Sequence, residues 1–269
     1  MAVAPTMKAT TTDTLVLRAT GVEKRYGHVL ALRGADLAVR PREIHALLGD
    51  NGAGKSTLIK ILSGVQHADA GRFEIDGREV RLGSSVEARE AGIETVYQDL
   101  ALALTLDAGE NVFLGREIPT RGLLGRLGFI DRREMRRRAL EQLAELGIGL
   151  RSPRAAVGAL SGGQRQAVAI ARAAVWGRRI LVLDEPTAAL GAVQTQVVLD
   201  LIRRARDDRG LSILWVSHNL PQVLEVADRV TVLRLGRDVM TGSTRGLTTD
   251  DLLRAITGAD SRETTRRTT

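Results

Sequence analysis

The sequence predicts an α/β fold built on a parallel sheet, with an antiparallel β layer ahead of it and a helical subdomain inserted into it. A glycine-rich loop from position 49 to 57 stands between the strand-like run 44–48 and the apolar-spaced Leu58, Ile59, Ile61 and Leu62, which reads as strand, loop, helix. Beyond position 180 the apolar runs 180–183, 211–216 and 230–235 alternate with a helical stretch, 193–206. That order is expected of parallel strands joined by crossover helices. Residues 99 to about 172 carry helical spacing instead, as an insertion would.

Taken in order, residues 1–13 are small and polar and read as a disordered leader without the long apolar core of a secretory signal, and Met7 is an alternative start. Residues 15–48 hold short apolar or alternating segments separated by Gly21, Gly27, Gly34 and Pro41, and 72–82 adds another with the turn Asp76-Gly77. These are assigned to the antiparallel layer. In the insertion the clearest helix is 134–146: Asp131 and Glu134 form a capping-box pattern, and Met135, Ala139, Leu143 and Leu146 recur at helical spacing. Arg132, Arg133, Arg136, Arg137 and Arg138 then fall on its solvated side. The glycine-rich stretch 122–128 interrupts the helical pattern. Residues 259–269, rich in Arg and Thr, read as a disordered tail. The span 14–258 is one domain.

The chain has 269 residues, no cysteine and a formal charge of +7. Disulfides and thiolate metal sites are excluded, and no run approaches the roughly 18 apolar residues of a membrane span. Lysine occurs only at Lys8, Lys24, Lys55 and Lys60 and arginine fills every other basic position, a skew that reads as genomic base composition and not as a binding surface, so no nucleic acid is expected as partner.

The loop Gly49-Asp50-Asn51-Gly52-Ala53-Gly54-Lys55-Ser56 satisfies G-x-x-x-x-G-K-[ST], with Thr57 following. Its glycines let successive N–H groups curl toward one anion while the helix behind presents its positive end. Lys55 is expected on the β- and γ-phosphates, Ser56 at Mg²⁺, and Thr57 toward the α-phosphate. Asp184 and Glu185 follow a buried run and precede Pro186, which puts both at the carboxyl edge of a strand. Alternation predicts Asp184 toward the metal and Glu185 toward the attacking water. Gln98, after the apolar stretch 93–97, is a candidate for metal and water, His218 for the γ-phosphate, and Tyr26 for stacking on adenine. Ser161, Gly162, Gly163 and Gln164 stand at an expected helix start and form a second anion site.

Taken together, Tyr26, the loop 49–57, Gln98, Leu160 to Gln164, Ile180 to Glu185 and His218 resemble the nucleotide-binding subunits of ABC transporters over about residues 15 to 243. The resemblance implies an ATPase using ATP and Mg²⁺. Two subunits would sandwich each nucleotide between the loop of one and Ser161-Gly162-Gly163-Gln164 of the other, a homodimer being the simpler pairing. It also implies membrane permease partners and a place on the inner face of the bacterial cell membrane. A finer likeness, carried by residues 49–65, by Val96-Tyr97-Gln98-Asp99-Leu100 and by Pro186-Thr187-Ala188-Ala189-Leu190, is to monosaccharide importers of the ribose, xylose and fructose type, which implies a sugar-binding protein as indirect partner. Gly191 departs from the family, which usually has aspartate there. No regulatory domain of the maltose-importer kind fits after Leu235. The rival readings are an exporter or lipid-extracting ATPase and a soluble nucleic-acid or ribosome-associated one.

Overall fold

The structure is a computed structural model and describes residues 15–149, 154–188 and 190–259. The expected leader, and the tail apart from Ala259, lie outside the described residues.

The antiparallel layer forms as expected. β1 (Leu17–Tyr26) pairs with β2 (Val29–Val39) on one side and β4 (Ala70–Ile75) on the other, and the two-residue β5 (Arg78–Glu79) closes the order β2-β1-β4-β5. Asp76 and Gly77 both have positive φ, 49° and 73°. That pair is the mirror-image two-residue turn which matches the twist of a hairpin.

The second sheet holds β3 (Ile44–Gly49), β6 (Ile93–Val96), β7 (Ile180–Asp184), β8 (Ser212–Val216) and β9 (Arg229–Arg234) in parallel, with β10 (Arg237–Ser243) antiparallel at one edge, in the order β10-β9-β3-β8-β7-β6. Residues 44–48 therefore belong here and not to the antiparallel layer. Every residue of β3 is buried, whereas β1 alternates buried and exposed positions through its first half. Burial on both faces is the mark of a covered parallel strand. Its side chains split between two cores: Ile44, Ala46 and Leu48 join a cluster with α6 (Gly162–Trp176) and α7 (Ala192–Asp207), while Leu47 joins one with α1 (Lys55–Leu62) and the antiparallel layer. α2 (Ser85–Glu90), α8 (Leu220–Val226) and α9 (Thr249–Thr257) complete the flanks.

Between β6 and β7 lies the helical region: α3 (Ala108–Val112), α4 (Leu123–Arg126), α5 (Arg132–Glu145) and α6. It has a small core of its own, Val112, Phe113, Met135 and Ala139, against which Trp176 sets its edge on Phe113 with ring centroids 5.4 Å apart. The glycine-rich interruption contains a turn of helix, α4, and α6 runs past Arg172 to Trp176. The capping pattern at α5 is half realised. Asp131 accepts the Glu134 N–H at 2.9 Å, but the Glu134 carboxylate is taken by Arg137 and Arg138, which hold it near pKa 2. Four of the five arginines are exposed as expected. Arg136 is half-buried and pairs with Asp107 at 2.6 Å, tying α5 to the cap of α3.

Candidate active site at the carboxyl edge of the parallel sheet

The glycine-rich loop joins β3 to α1 and is clamped by its neighbours. A Cβ on Gly49 would meet the Leu233 carbonyl at 2.3 Å, and one on Gly54 would meet the Ala31 carbonyl at 2.8 Å. Both glycines thus let β9 and β2 approach the loop, beyond any part in turning it. The first helical hydrogen bond of α1 is Leu58 N–H to Gly54 O, 2.9 Å, leaving the N–H groups of Lys55, Ser56 and Thr57 ahead of the ladder at the positive end of the helix. The Lys55 ammonium lies over the loop and donates to Gly49 O at 2.7 Å and Asp50 O at 2.9 Å. Asp50, Asn51, Gly52 and Ser56 are exposed and Ala53 is buried. Burial pulls the Lys55 pKa below its ordinary value, against the opposing charges of Glu185, Asp50 and Asp184.

Both carboxylates bear on one ammonium, and the strict alternation expected of a strand stops before Glu185. β7 ends at Asp184, and Glu185 has left the extended conformation, with φ +50°. A left-handed non-glycine residue costs about 1–3 kcal/mol and persists only where the surroundings enforce it. Here the Glu185 N–H donates to Val216 O at 3.0 Å and the Ala188 N–H to Glu185 O at 3.1 Å. Burial raises the pKa of Asp184, the Glu185 charge adds to the rise, and Lys55 and Lys60 oppose it. The Asp184 carboxylate has no hydrogen bond or ion pair with any described residue.

β8 is the neighbour of β7, with Asp184 opposite Val216, so Ser217, His218 and Asn219 emerge beside the two acids. His218 Nδ1 lies 3.3 Å from Glu185 Oε1, with the imidazole 67% exposed. These residues, with Thr187 and Ala188, line a cleft of about 100 Å³. Thr187, Ser217 and Asn219 were not singled out by the sequence reading; their position flanking the acid pair and the histidine is the signal that would have found them. Gln98 is exposed two residues past the end of β6, on the same sheet edge. Tyr26, 41% exposed, ends β1, where its hydroxyl bonds Gln66 and the Lys24 ammonium sits 5.8 Å from its ring.

The second anion-site motif lies apart, at the start of α6. Ser161 caps the helix in a complete capping box: its Oγ accepts the Gln164 N–H at 3.3 Å, and Gln164 Oε1 accepts the Ser161 N–H at 2.9 Å. The Gln164 side chain is engaged within its own chain. Gly163 is buried, and a Cβ there would stand 2.6 Å from Gln194 on α7; at exposed Gly162 it would meet nothing nearer than Leu190 at 3.9 Å. One glycine is required for helix packing, and the other is not. At Gly191 the start of α7 has no side-chain cap.

Residues 32–188 match the family model described as ABC transporter. The chain is 47% identical to the fructose import ATP-binding protein FrcA of Rhizobium meliloti over 91% of its own length and 94% of the relative's. It is 45% identical to the ribose import ATP-binding protein RbsA 1 of Rubrobacter xylanophilus over 82% of its length and 43% of the relative's. It thus spans nearly all of the first and under half of the second. Among solved structures, the ADP conformation of an ATP-binding cassette of an ABC transporter superposes with a TM-score of 0.76 at 25% identity, covering 90% of this chain and 95% of the other. A dimeric cassette in a post-hydrolysis state with ADP and Pi gives 0.70 at 27% identity, covering 86% and 100%.

Proposed function

The chain belongs to the ABC transporter family, and from that premise we propose that it is the ATP-hydrolysing subunit of an importer that powers uptake of a sugar through membrane permease partners. The observation that carries the catalytic part is the strained Glu185 with His218 3.3 Å away, beside Asp184 and across from Lys55 at the mouth of the glycine-rich loop. The sugar reading rests on the fructose and ribose import relatives.

In this reading residues 49–57 wrap the β- and γ-phosphates with backbone N–H groups, Lys55 exchanges its carbonyl partners for phosphate oxygens, and Tyr26 stacks on adenine. Asp184 suits a divalent cation, because it is a partly buried carboxylate whose charge lacks a protein counter-ion at bonding distance. Asp184 would hold Mg²⁺ with Ser56 and Gln98. When bound, the ion neutralises charge on the transferring phosphoryl group. Glu185 orients the attacking water and takes its proton, the left-handed backbone aiming its carboxylate off the strand axis. His218 steadies that carboxylate as a donor through Nδ1, and with the imidazole protonated its other nitrogen donates to the γ-phosphate.

Ser161, Gly162 and Gly163 close on the γ-phosphate of a second subunit's ATP, for which the exposed Ser161 and Gly162 are available. Gln164 acts there as a capping residue. The domain runs over 14–258 with the helical subdomain inserted, and the permease partners supply the membrane-crossing path; no helix of the described residues is long and apolar enough to cross a membrane. Reconstitution with a permease tests the proposal: ATPase activity should rise when a sugar-loaded binding protein is added on the outside. Stimulation that needs no binding protein would indicate an exporter, and stimulation by DNA or RNA would overturn the transport reading.

A further inference from the structure

Residues 118–131 form a folded excursion on the helical region that leaves its apolar side chains outside. Thr120 N–H donates to Phe129 O at 2.9 Å, Asp131 N–H to Ile118 O at 2.7 Å, and Leu127 N–H closes α4 on Leu123 O at 3.1 Å. The backbone is satisfied, yet Leu123, Leu124, Leu127 and Phe129 are 72%, 55%, 66% and 57% exposed. Positions 123, 124 and 127 share one side of a helical turn.

Basic side chains predominate around them. Arg121, Arg126 and Arg133 are exposed, and among the described residues none of them pairs with a carboxylate. The acids of the same stretch are turned into the backbone, Glu117 accepting the Gly115 N–H and Asp131 the Glu134 N–H, each at 2.9 Å. Farther along the chain Arg137, Arg138 and Arg203 are all paired with carboxylates. An apolar knob with guanidinium groups lacking carboxylate partners on the same and the adjoining segment is complementary to a surface that is apolar below and anionic above.

We propose that this excursion seats the subunit directly on an anionic lipid surface, with Leu123, Leu124, Leu127 and Phe129 among the upper acyl chains and Arg121, Arg126 and Arg133 among the headgroup phosphates. This contact is independent of the transport reading, since it needs neither nucleotide nor permease.

Flotation of the full chain with vesicles of phosphatidylcholine, with and without phosphatidylglycerol, tests it. Binding is expected only with the anionic lipid. A Leu123→Asn/Leu124→Asn/Leu127→Asn variant, whose net charge is unchanged, should bind at least about tenfold more weakly while keeping wild-type ATPase activity and melting. Arg121→Gln and Arg126→Gln should each weaken binding about fivefold, equivalent to ~1 kcal/mol per arginine. The charge-matched pair Arg78→Gln and Arg178→Gln, away from the excursion, should leave binding unchanged. The proposal is overturned if anionic vesicles are not bound, if the leucine variant binds like the wild type, or if the remote pair weakens binding as much as the local one, which would mean general adsorption of a basic chain. Protection of the excursion by a permease and never by vesicles would likewise assign it to a protein partner.

Discussion

Gly162 and Gly163 are neighbours in the first turn of α6, so alanine at either gains a similar helix propensity, up to about 0.5–1 kcal/mol. Their surroundings differ. A Cβ at 163 would lie 2.6 Å from both Cβ and Cγ of Gln194, where carbon atoms need about 3.5–4.0 Å. The obstructing atoms are near the Gln194 backbone and have little freedom to yield, so α6 and α7 must part by about 1 Å, an overpacking cost of about 1–3 kcal/mol. At 162 the nearest atom is 3.9 Å away. Because the propensity gain is common to both, the difference between the variants isolates the packing cost. Gly163→Ala should melt roughly 2–12 °C below Gly162→Ala, at about 2–4 °C per kcal/mol for a domain of this size. Thermal and urea unfolding without nucleotide measure this, with ATPase assays alongside. Equal melting temperatures would refute the packing argument, and full ATPase activity in Gly162→Ala would count against the reading of that glycine as a contact to the partner's nucleotide.

Glu185→Gln should lower ATP turnover by about 10²–10⁴-fold with ATP affinity retained, as expected for a general base or water-positioning group; a normal steady-state rate would remove Glu185 from that role. Asp184→Asn should raise the melting temperature of the nucleotide-free protein while depressing hydrolysis, because burial lifts the Asp184 pKa and its ionised form at neutral pH opposes folding; a lower melting temperature would contradict this. Glu43, nearly buried, is held below its ordinary 4.5: burial opposes its charge, but hydrogen bonds from His45 and the Arg40 N–H, with the charges of His45 and Arg229, outweigh it. Its contribution to stability is therefore present above about pH 4.5 and lost as pH falls through the depressed value. Urea midpoints against pH should show Glu43→Gln flattening that acid-side loss, and an unchanged slope would argue against it.

What could be read from sequence follows how local the physics is. The loop 49–57 was legible because strand, glycines, lysine and helix are contiguous and each constrains the next. The α5 helix was legible from Met135, Ala139, Leu143 and Leu146, though not the reach of Arg136 to Asp107, which depends on how α5 lies across α3. β3 was grouped with the wrong sheet because residues 44–48 follow the segments of the antiparallel layer directly, while their unbroken burial reflects cover on both faces. Gln98 and His218 could be named only by their order around stronger motifs. The left-handed Glu185 and the contact of Gly163 with Gln194 were invisible, since one is enforced by Val216 on the neighbouring strand and the other by a helix thirty residues on. β10 and α9 follow the last run that was read as structure.

The central claim is that the nucleotide pocket is shared between two chains. The most direct measurement is a crystal or cryo-EM structure of the Glu185→Gln form trapped with ATP and Mg²⁺. Ser161 and the N–H groups at Gly162 and Gly163 should lie within about 2.7–3.2 Å of the γ-phosphate held by the other subunit's glycine-rich loop. A nucleotide enclosed by one chain alone, with positions 161–163 facing solvent, would contradict it.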